Sequence, residues 1–93
     1  MYYTIREEKV SELKEGKTNV YIAKITNYSR QYLTYIFKGQ IKINYEAVTD
    51  IIMPLANESM KLNMMIGNHG IDYVINYFFK EENKWENLKK LVE

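Results

Sequence analysis

Cysteine is absent from this chain of 93 residues, and proline and histidine each occur once. Without cysteine, disulfides, zinc–thiolate sites and thiol catalysis are excluded, and a reducing compartment fits best. The first residues, MYYTIREEK, contain no apolar segment of the signal-peptide type, and no run reaches the ~18 apolar residues of a membrane span. The sequence therefore predicts a cytoplasmic protein with no membrane partner.

Catalytic and cofactor-binding motifs are missing as well. The single imidazole, His69, lies between Gly67 and Gly70, and the sequence arranges no nucleophile and orienting group around it. The four glycines form neither a dinucleotide-binding nor a phosphate-binding loop. Acidic side chains cluster within residues 7–15 and 81–86, but lysines interrupt them as on solvated helix faces. We therefore predict no catalytic residue, no cofactor and no metal site, and hence no enzyme.

The chain does contain enough apolar material for one core, since 46% of its residues are hydrophobic. A chain of this length supports one modest core, so we predict a single α+β domain over residues 1–93. Nine tyrosines are present, and this half-apolar side chain suits protein interfaces and also the stacking of bases. An AT-rich coding sequence, which would raise Tyr, Asn, Ile and Lys together, is an open alternative explanation.

Charge is distributed unevenly along the chain. Residues 16–45, here called the acid-free segment, contain five basic residues and no acid, whereas the net charge is −1 before this segment and −3 after it. Like charges on one face create a field that an acidic partner can use. Solvated cations on an exposed sheet edge also discourage aggregation. Both interpretations of the segment stay open.

The N-terminal half shows one helix pattern followed by strand patterns. Thr4 and Glu7 match a capping box, so we predict a short helix over about residues 5–15 with Gly16 as its stop, although residues 1–5 can instead form a strand. Residues 18–28 are rich in β-branched and aromatic types. Residues 33–45, LTYIFKGQIKINY, alternate apolar and polar side chains. With turns at residues 27–30 and at Lys38-Gly39, these patterns predict a three-stranded antiparallel meander over residues 18–45.

The C-terminal half has helical spacing from Tyr45 onwards. Apolar residues recur every three or four positions over residues 45–66 and again over 71–92, with residues 67–70 as a turn, which predicts an αα-hairpin. Pro54 implies a kink or break in the first run, and Asn44 is a candidate cap. Residues 71–79 also alternate strictly, so the rival is a β-hairpin over residues 60–79 followed by a short C-terminal helix from residue 84. The two alternatives remain open.

The predicted partner-binding residues lie on the basic face of the meander, where tyrosines and cations are interleaved. Such a face suits contact with a protein surface or with phosphates and bases. It comprises Lys24, Tyr28, Arg30, Tyr32, Lys38 and Lys42.

The composition resembles that of accessory proteins of phages and mobile elements. The order of predicted elements over about residues 5–66 is also similar to that of some small anti-CRISPR proteins. These resemblances imply a non-catalytic inhibitor or regulator that binds a host protein or ribonucleoprotein complex and blocks it sterically. No sequence motif carries the likeness, so it assigns no residue a role.

The alternative function is nucleic-acid binding through the basic, tyrosine-rich sheet. The predicted element order is also that of the double-stranded-RNA-binding domain, but residues 45–60 contain no basic residue at the start of the following helix. That departure disfavours the family without excluding looser single-strand binding. An exposed meander edge can also pair between copies, so a homodimer is an open possibility.

Overall fold

The structure is a computed structural model that describes residues 1–82. These residues form a mixed α+β fold in which six helices accompany a three-stranded antiparallel sheet, and the predicted fold class is confirmed. In chain order the elements are β1 (Tyr2–Ile5), a 3-10 turn (Glu7–Lys9), α1 (Val10–Lys14), α2 (Asn19–Thr26), α3 (Arg30–Phe37), β2 (Ile43–Asn44), α4 (Tyr45–Asn57), α5 (Met60–His69), α6 (Ile71–Phe78) and β3 (Phe79–Glu82).

The sheet has the order β2–β1–β3, so the N-terminal strand is its central strand. Tyr3 is paired with Ile43 on one side, and Ile5 is paired with Phe79 on the other. These four side chains are buried against the helices. The strand alternative for residues 1–5 is therefore confirmed. The capping box at Thr4 is not formed, because the Thr4 hydroxyl donates to Glu82 Oε1 across the sheet at 2.9 Å.

The predicted short N-terminal helix is present as the 3-10 turn and α1, which lie inside the predicted residues 5–15. Leu13 is fully buried and anchors α1 to the core. The chain leaves the helix through Glu15, which adopts a left-handed conformation with φ 50°, and then Gly16, as predicted from the stop signal.

The predicted meander over residues 18–45 is wrong, because α2 and α3 occupy most of that segment. Each helix begins at a hydroxyl cap: the Thr18 side chain accepts from the Tyr21 amide, and the Ser29 side chain accepts from the Tyr32 amide. Such caps satisfy amides that the first helical turn leaves without a partner. Burial then follows a helical spacing rather than alternation, with Leu33, Ile36 and Phe37 buried in α3. Packing has therefore overridden the β-propensity of these residues.

The predicted turn at Lys38-Gly39 is present, but it ends a helix instead of joining two strands. Gly39 has φ +71°, a left-handed conformation that side chains other than glycine rarely adopt. The Gln40 amide bonds back to the Tyr35 carbonyl at 3.0 Å, which closes the end of α3.

The C-terminal half is helical through residue 78, as the αα-hairpin predicted, and the rival β-hairpin over residues 60–79 is wrong. The hairpin itself differs in three respects. The predicted turn over residues 67–70 is reduced to Gly70, because α5 continues through His69. The first run is two helices, because α4 passes through Pro54 and ends at Asn57, after which Ser59 caps α5 by accepting from the Leu62 amide. The second run ends at Phe78 and continues as β3; the predicted helical residues beyond 82 lie outside the described residues.

Helix α4 lies at the centre of the described fold and contacts α2, α5, α6 and both β1 and β2. Asn44 caps it as predicted, since its Oδ1 accepts from the Ala47 amide at 2.9 Å. Within residues 1–82, no helix is long and apolar enough to cross a membrane. The inward face of α4 supplies six buried side chains: Ala47, Val48, Ile51, Ile52, Leu55 and Ala56.

The absence of the meander removes the basis for the topological likenesses. The predicted order of a helix, three consecutive strands and a helix is not present in residues 5–66, because α2 and α3 occupy most of the predicted meander. The meander edge expected to pair between copies is absent for the same reason.

Candidate interaction surfaces

The six predicted partner-binding residues do not share a sheet, because their segment is helical. Lys24 lies on the exposed side of α2, Arg30 and Tyr32 belong to the first turn of α3, and Tyr28 lies in the loop between the two helices. Lys38 and Lys42 are exposed in the connection from α3 to β2. A helix of eight residues is about 12 Å long, so α3 separates Lys38 from Arg30. The structure therefore divides the predicted patch into two parts.

The aromatic part of the patch is a real cluster. The rings of Tyr28 and Tyr32 lie 5.3 Å apart at an interplanar angle of 43°. The Tyr28 hydroxyl donates to Asp50 Oδ2 at 3.0 Å. Burial, and then this hydrogen bond, raise the pKa of Tyr28 to about 12. The pair is thus held in place by α4 rather than standing free on a sheet.

Acidic side chains of α4 lie close to part of the acid-free segment in the folded structure. Asp50 and Glu46 both raise the pKa of Tyr28, after the contribution of burial. The Tyr21 hydroxyl of α2 donates to Glu58 at the end of α4. The charge segregation seen along the sequence is therefore partly cancelled by folding, which weakens the electrostatic argument for an acidic partner at this place.

Tyrosine hydroxyls bound to carboxylates of other elements are a recurrent feature, and four such pairs lie within residues 1–82. Each contact links elements that are distant in the chain, by between 22 and 65 positions. The sequence did not predict these pairs, because residues so far apart in the chain have no spacing that indicates a contact. These tyrosines therefore have a structural role, because each joins two separate parts of the fold. The pairs are Tyr21–Glu58, Tyr28–Asp50, Tyr45–Asp72 and Tyr77–Glu12.

The last of these pairs belongs to a charged network that joins α1 to α5 and α6. Glu12 accepts from Lys61 Nζ at 2.6 Å and from the Tyr77 hydroxyl at 3.0 Å. Lys9 Nζ also donates to the Tyr77 hydroxyl, at 2.9 Å. The Lys61 ammonium, aided by Tyr77, holds the pKa of Glu12 below its ordinary value. This network fixes the outer helices relative to one another.

Helix α5 presents an apolar face that the sequence analysis did not single out. Met60 is 81% exposed and Met64 is 59% exposed, and their spacing of four places both on one side of the helix. We call this pair the methionine face. A signal for it was available: Leu62 and Ile66 supply the inward apolar positions of α5, so the two methionines are surplus to the core pattern.

His69 is the last residue of α5, and its ring is stacked on that of Tyr73 at 4.3 Å. Within the part of the chain that the structure describes, no three His, Cys, Asp or Glu side chains are grouped so as to hold a metal ion. Comparison with family models, with curated proteins and with solved structures found no match to this chain.

Proposed function

We propose that this protein is a small, non-catalytic protein-binding module that blocks a host protein or ribonucleoprotein complex sterically, in the manner of phage or mobile-element inhibitors. The observation that carries the proposal is the methionine face. Two long apolar side chains directed to solvent from one side of a helix have no role in the core, since α5 buries Leu62 instead. Methionine is enriched at interfaces and adapts its shape to a partner.

The methionine face is held on a rigid support. Ser59 caps the first turn of α5, with its hydroxyl accepting from the Leu62 amide at 3.1 Å. Lys61, on the same helix, is bound to Glu12 of α1 at 2.6 Å. A surface whose backbone is already ordered loses less conformational entropy when it binds. The support thus favours recognition of a partner through a preformed helix.

The patch predicted from the sequence serves this proposal as a second contact area. Tyr28 and Tyr32 present neighbouring rings, and Arg30 lies between them in the chain at the start of α3. Tyrosine and arginine supply much of the binding energy of protein interfaces when a partner covers them. Because the chain contains no cysteine, the reducing cytoplasm is the compartment in which we place the interaction.

Nucleic-acid binding is the second candidate, and the exposed cations Lys24, Arg30, Lys38 and Lys42 favour it. Phosphate contacts from such residues make affinity fall steeply with salt. The acids around Tyr28 oppose it, since Asp50 and Glu46 would repel a phosphate backbone placed beside the tyrosine pair.

A capture experiment with two matched double variants separates these functions. The tagged protein is incubated with a host lysate, in parallel with and without nuclease treatment, and the bound proteins are identified by mass spectrometry. Met60→Gln with Met64→Gln keeps length and charge but makes the face polar, whereas Lys38→Glu with Lys42→Glu reverses the charge of the α3–β2 connection. We expect the glutamine pair to abolish capture of one defined complex and the glutamate pair to leave that capture unchanged.

The opposite pattern would support the nucleic-acid candidate. Its signs are loss of capture with the glutamate pair or on nuclease treatment, together with steep weakening of binding to a single-stranded oligonucleotide as salt is raised. Light scattering of the purified protein, run in parallel, checks whether the glutamine pair has changed the oligomeric state instead of partner binding.

A further inference from the structure

A shallow pocket that is open to solvent, with a volume of about 420 Å³ and here called the cavity, lies beside α1 and the turn that follows it. It is separate from the methionine face and from the Tyr28–Tyr32 pair. Its wall contains two lysines, one hydroxyl group and one acid, and it is lined by Glu7, Val10, Ser11, Lys14, Gly16 and Lys17.

Lys14 is the most firmly positioned of the lining residues. Its Nζ donates to Asn19 Oδ1 of α2 at 2.6 Å. Asn19 is itself oriented by α3, because its Nδ2 donates to the Thr34 hydroxyl at 3.2 Å. The Lys14 ammonium also lies 5.2 Å from the centre of the Phe37 ring. Side chains of two other helices thus hold this cation at the edge of the cavity.

None of the groups that hold Lys14 carries a negative charge. Three ion pairs are formed within residues 1–82, and Lys14 takes part in none of them. The acid nearest in sequence, Glu15, is 4.0 Å from Lys17 Nζ. Burial lowers the pKa of Lys14, with no carboxylate acting in the opposite direction. A half-buried ammonium ordinarily has an anionic partner that offsets its lost hydration.

We propose that this cavity binds an oxyanion group, a carboxylate or a phosphate, and that Lys14 is its principal contact. A lysine ammonium has three donors, and Asn19 occupies one of them. Ser11 and Lys17 also line the cavity, so a hydroxyl and a second ammonium are close enough to contribute, although Lys17 is paired with Glu15 at 4.0 Å. Charge-assisted hydrogen bonds of this kind are the strong ones in a site for carboxylate or phosphate. The proposal is independent of the protein-binding function.

Glu7 is the one lining residue that opposes an anion. Its carboxylate is close to the end of α3, where a Cβ built at Gly39 would lie 3.0 Å from Glu7 Oε1. Removing its charge would leave Lys14 and Lys17 as the charged residues of the wall. Glu7→Gln is therefore expected to tighten oxyanion binding, a result that general loss of structure would not produce.

The test is an NMR titration of the intact protein with inorganic phosphate and, separately, with acetate, at an ionic strength held constant with sodium chloride. Amide signals of Ser11 and Gly16 and the ε-methylene signal of Lys14 report on the cavity. We expect saturable shifts at these signals, and we expect phosphate to move the deprotonation of Lys14 to higher pH. Lys14→Gln should weaken binding about tenfold or more, the effect of one charge-assisted hydrogen bond.

Lys80→Gln is the matched control, because it removes one exposed cation from β3 and leaves the cavity intact. Lys14→Met, which keeps the aliphatic stem, is the second variant if Lys14→Gln does not fold. Saturation by phosphate alone assigns the site to a phosphate group, and saturation by both anions assigns it to any oxyanion. The proposal is overturned if neither anion saturates by about 50 mM, far above a Kd of about 1 mM, or if the Lys14 variants bind like the wild type.

Discussion

The Tyr28 hydroxyl donates to Asp50 Oδ2 at 3.0 Å, and this bond attaches the loop between α2 and α3 to the outer side of α4. The contact joins the acid-free segment to an acid from the next part of the chain. This hydrogen bond has two measurable consequences, because it raises the pKa of the Tyr28 hydroxyl and stabilises the position of the loop.

Asp50→Asn is expected to lower the pKa of Tyr28 from about 12 toward the ordinary value of 10.0. The change should be partial, because burial is the larger cause of the shift and remains in the variant. Phenolate formation followed by NMR of the tyrosine ring carbons measures it. The control is Asp72→Asn, whose carboxylate accepts from Tyr45 instead; an equal effect from this variant would contradict the assignment.

The same shift makes the folded state sensitive to alkali. The pKa of Tyr28 is higher in the folded chain than in the unfolded chain. The protonated hydroxyl therefore makes its full contribution to the free energy of unfolding below pH 10.0, and this contribution is lost as the pH rises toward about 12. Tyr28→Phe should cost about 1 kcal/mol near neutral pH, the net value of one hydrogen bond. It should also remove this part of the alkaline loss. Urea unfolding at several pH values compares the two proteins, and parallel pH profiles would disprove the idea.

Glu12→Gln is expected to destabilise the contact of α1 with α5 and α6 at neutral pH. The wild-type carboxylate binds Lys61 and Tyr77, and its pKa is lowered in the folded chain. Such a group stabilises the fold above the unfolded-state pKa of about 4.5, and this contribution is lost as the pH falls through the lowered folded value. The difference in unfolding free energy between wild type and variant should therefore shrink in acid.

Glu8→Gln is the matched control for that comparison, since no ion pair within residues 1–82 involves Glu8. Both variants remove one negative charge from the same end of the molecule. If the two behave alike between neutral and acid pH, the network around Glu12 contributes nothing specific to stability.

Two glycine substitutions should have opposite effects. Gly39→Ala places a side chain at φ +71° and brings its Cβ to 3.0 Å from Glu7 Oε1, so a loss of about 1 kcal/mol is expected. Gly67 lies in α5, and an added Cβ there would meet no atom within 4 Å beyond its chain neighbours and the backbone of its own helix. Gly67→Ala should gain about 0.5 to 1 kcal/mol from helix propensity. Thermal unfolding of the two variants tests the pair, and the same sign for both would be inconsistent with Gly39 ending α3 and Gly67 lying inside α5.

Alanine substitutions in α2 distinguish the helix from the strand that the sequence favoured. In a strand, Val20 and Ile22 would share a face, and both changes would cost similar amounts. In the structure Ile22 is fully buried while Val20 is 47% exposed. Ile22→Ala should therefore cost about 2 to 5 kcal/mol. Val20→Ala should be neutral or slightly stabilising, because alanine is the better helix former. Chemical denaturation of both variants decides between the two.

The sequence predicts the α+β class and several helix ends, but it misplaces the sheet. The different burial of Val20 and Ile22 in α2 shows the reason. Around Ile22 the helical spacing is hidden, because the other inward residue of α2 is polar: Thr26 is buried, and its hydroxyl donates to the Ile22 carbonyl at 2.7 Å. In α3, Tyr35 fits the alternating pattern, yet it is exposed while Ile36 is buried. Where a short segment fits both the helical period of about 3.6 residues and the strand period of 2, tertiary packing decides which structure it adopts.

The candidate sites were predictable to a smaller extent. Tyr28 and Tyr32 belong to the same predicted patch, and the structure does bring their rings together, although at the start of α3 rather than on a sheet. The position of Asp50 beside them depends on how α2 packs on α4, which a single sequence does not encode locally. The same holds for Lys14, whose partner Asn19 is close in sequence but whose aromatic neighbour Phe37 belongs to another helix.

The central place of β1 sets the order in which this chain can acquire its structure. Thr4 bonds to Glu82, a residue 78 positions away, and the only other strand beside β1 within residues 1–82 is the two-residue β2. During synthesis, β1 precedes the rest of the described fold and must therefore wait for almost all of the described chain before its longer neighbour, β3, is made. Closing so long a loop is slow relative to local helix formation. The helices are thus expected to assemble first, and the sheet is expected to close last, when β3 pairs with β1.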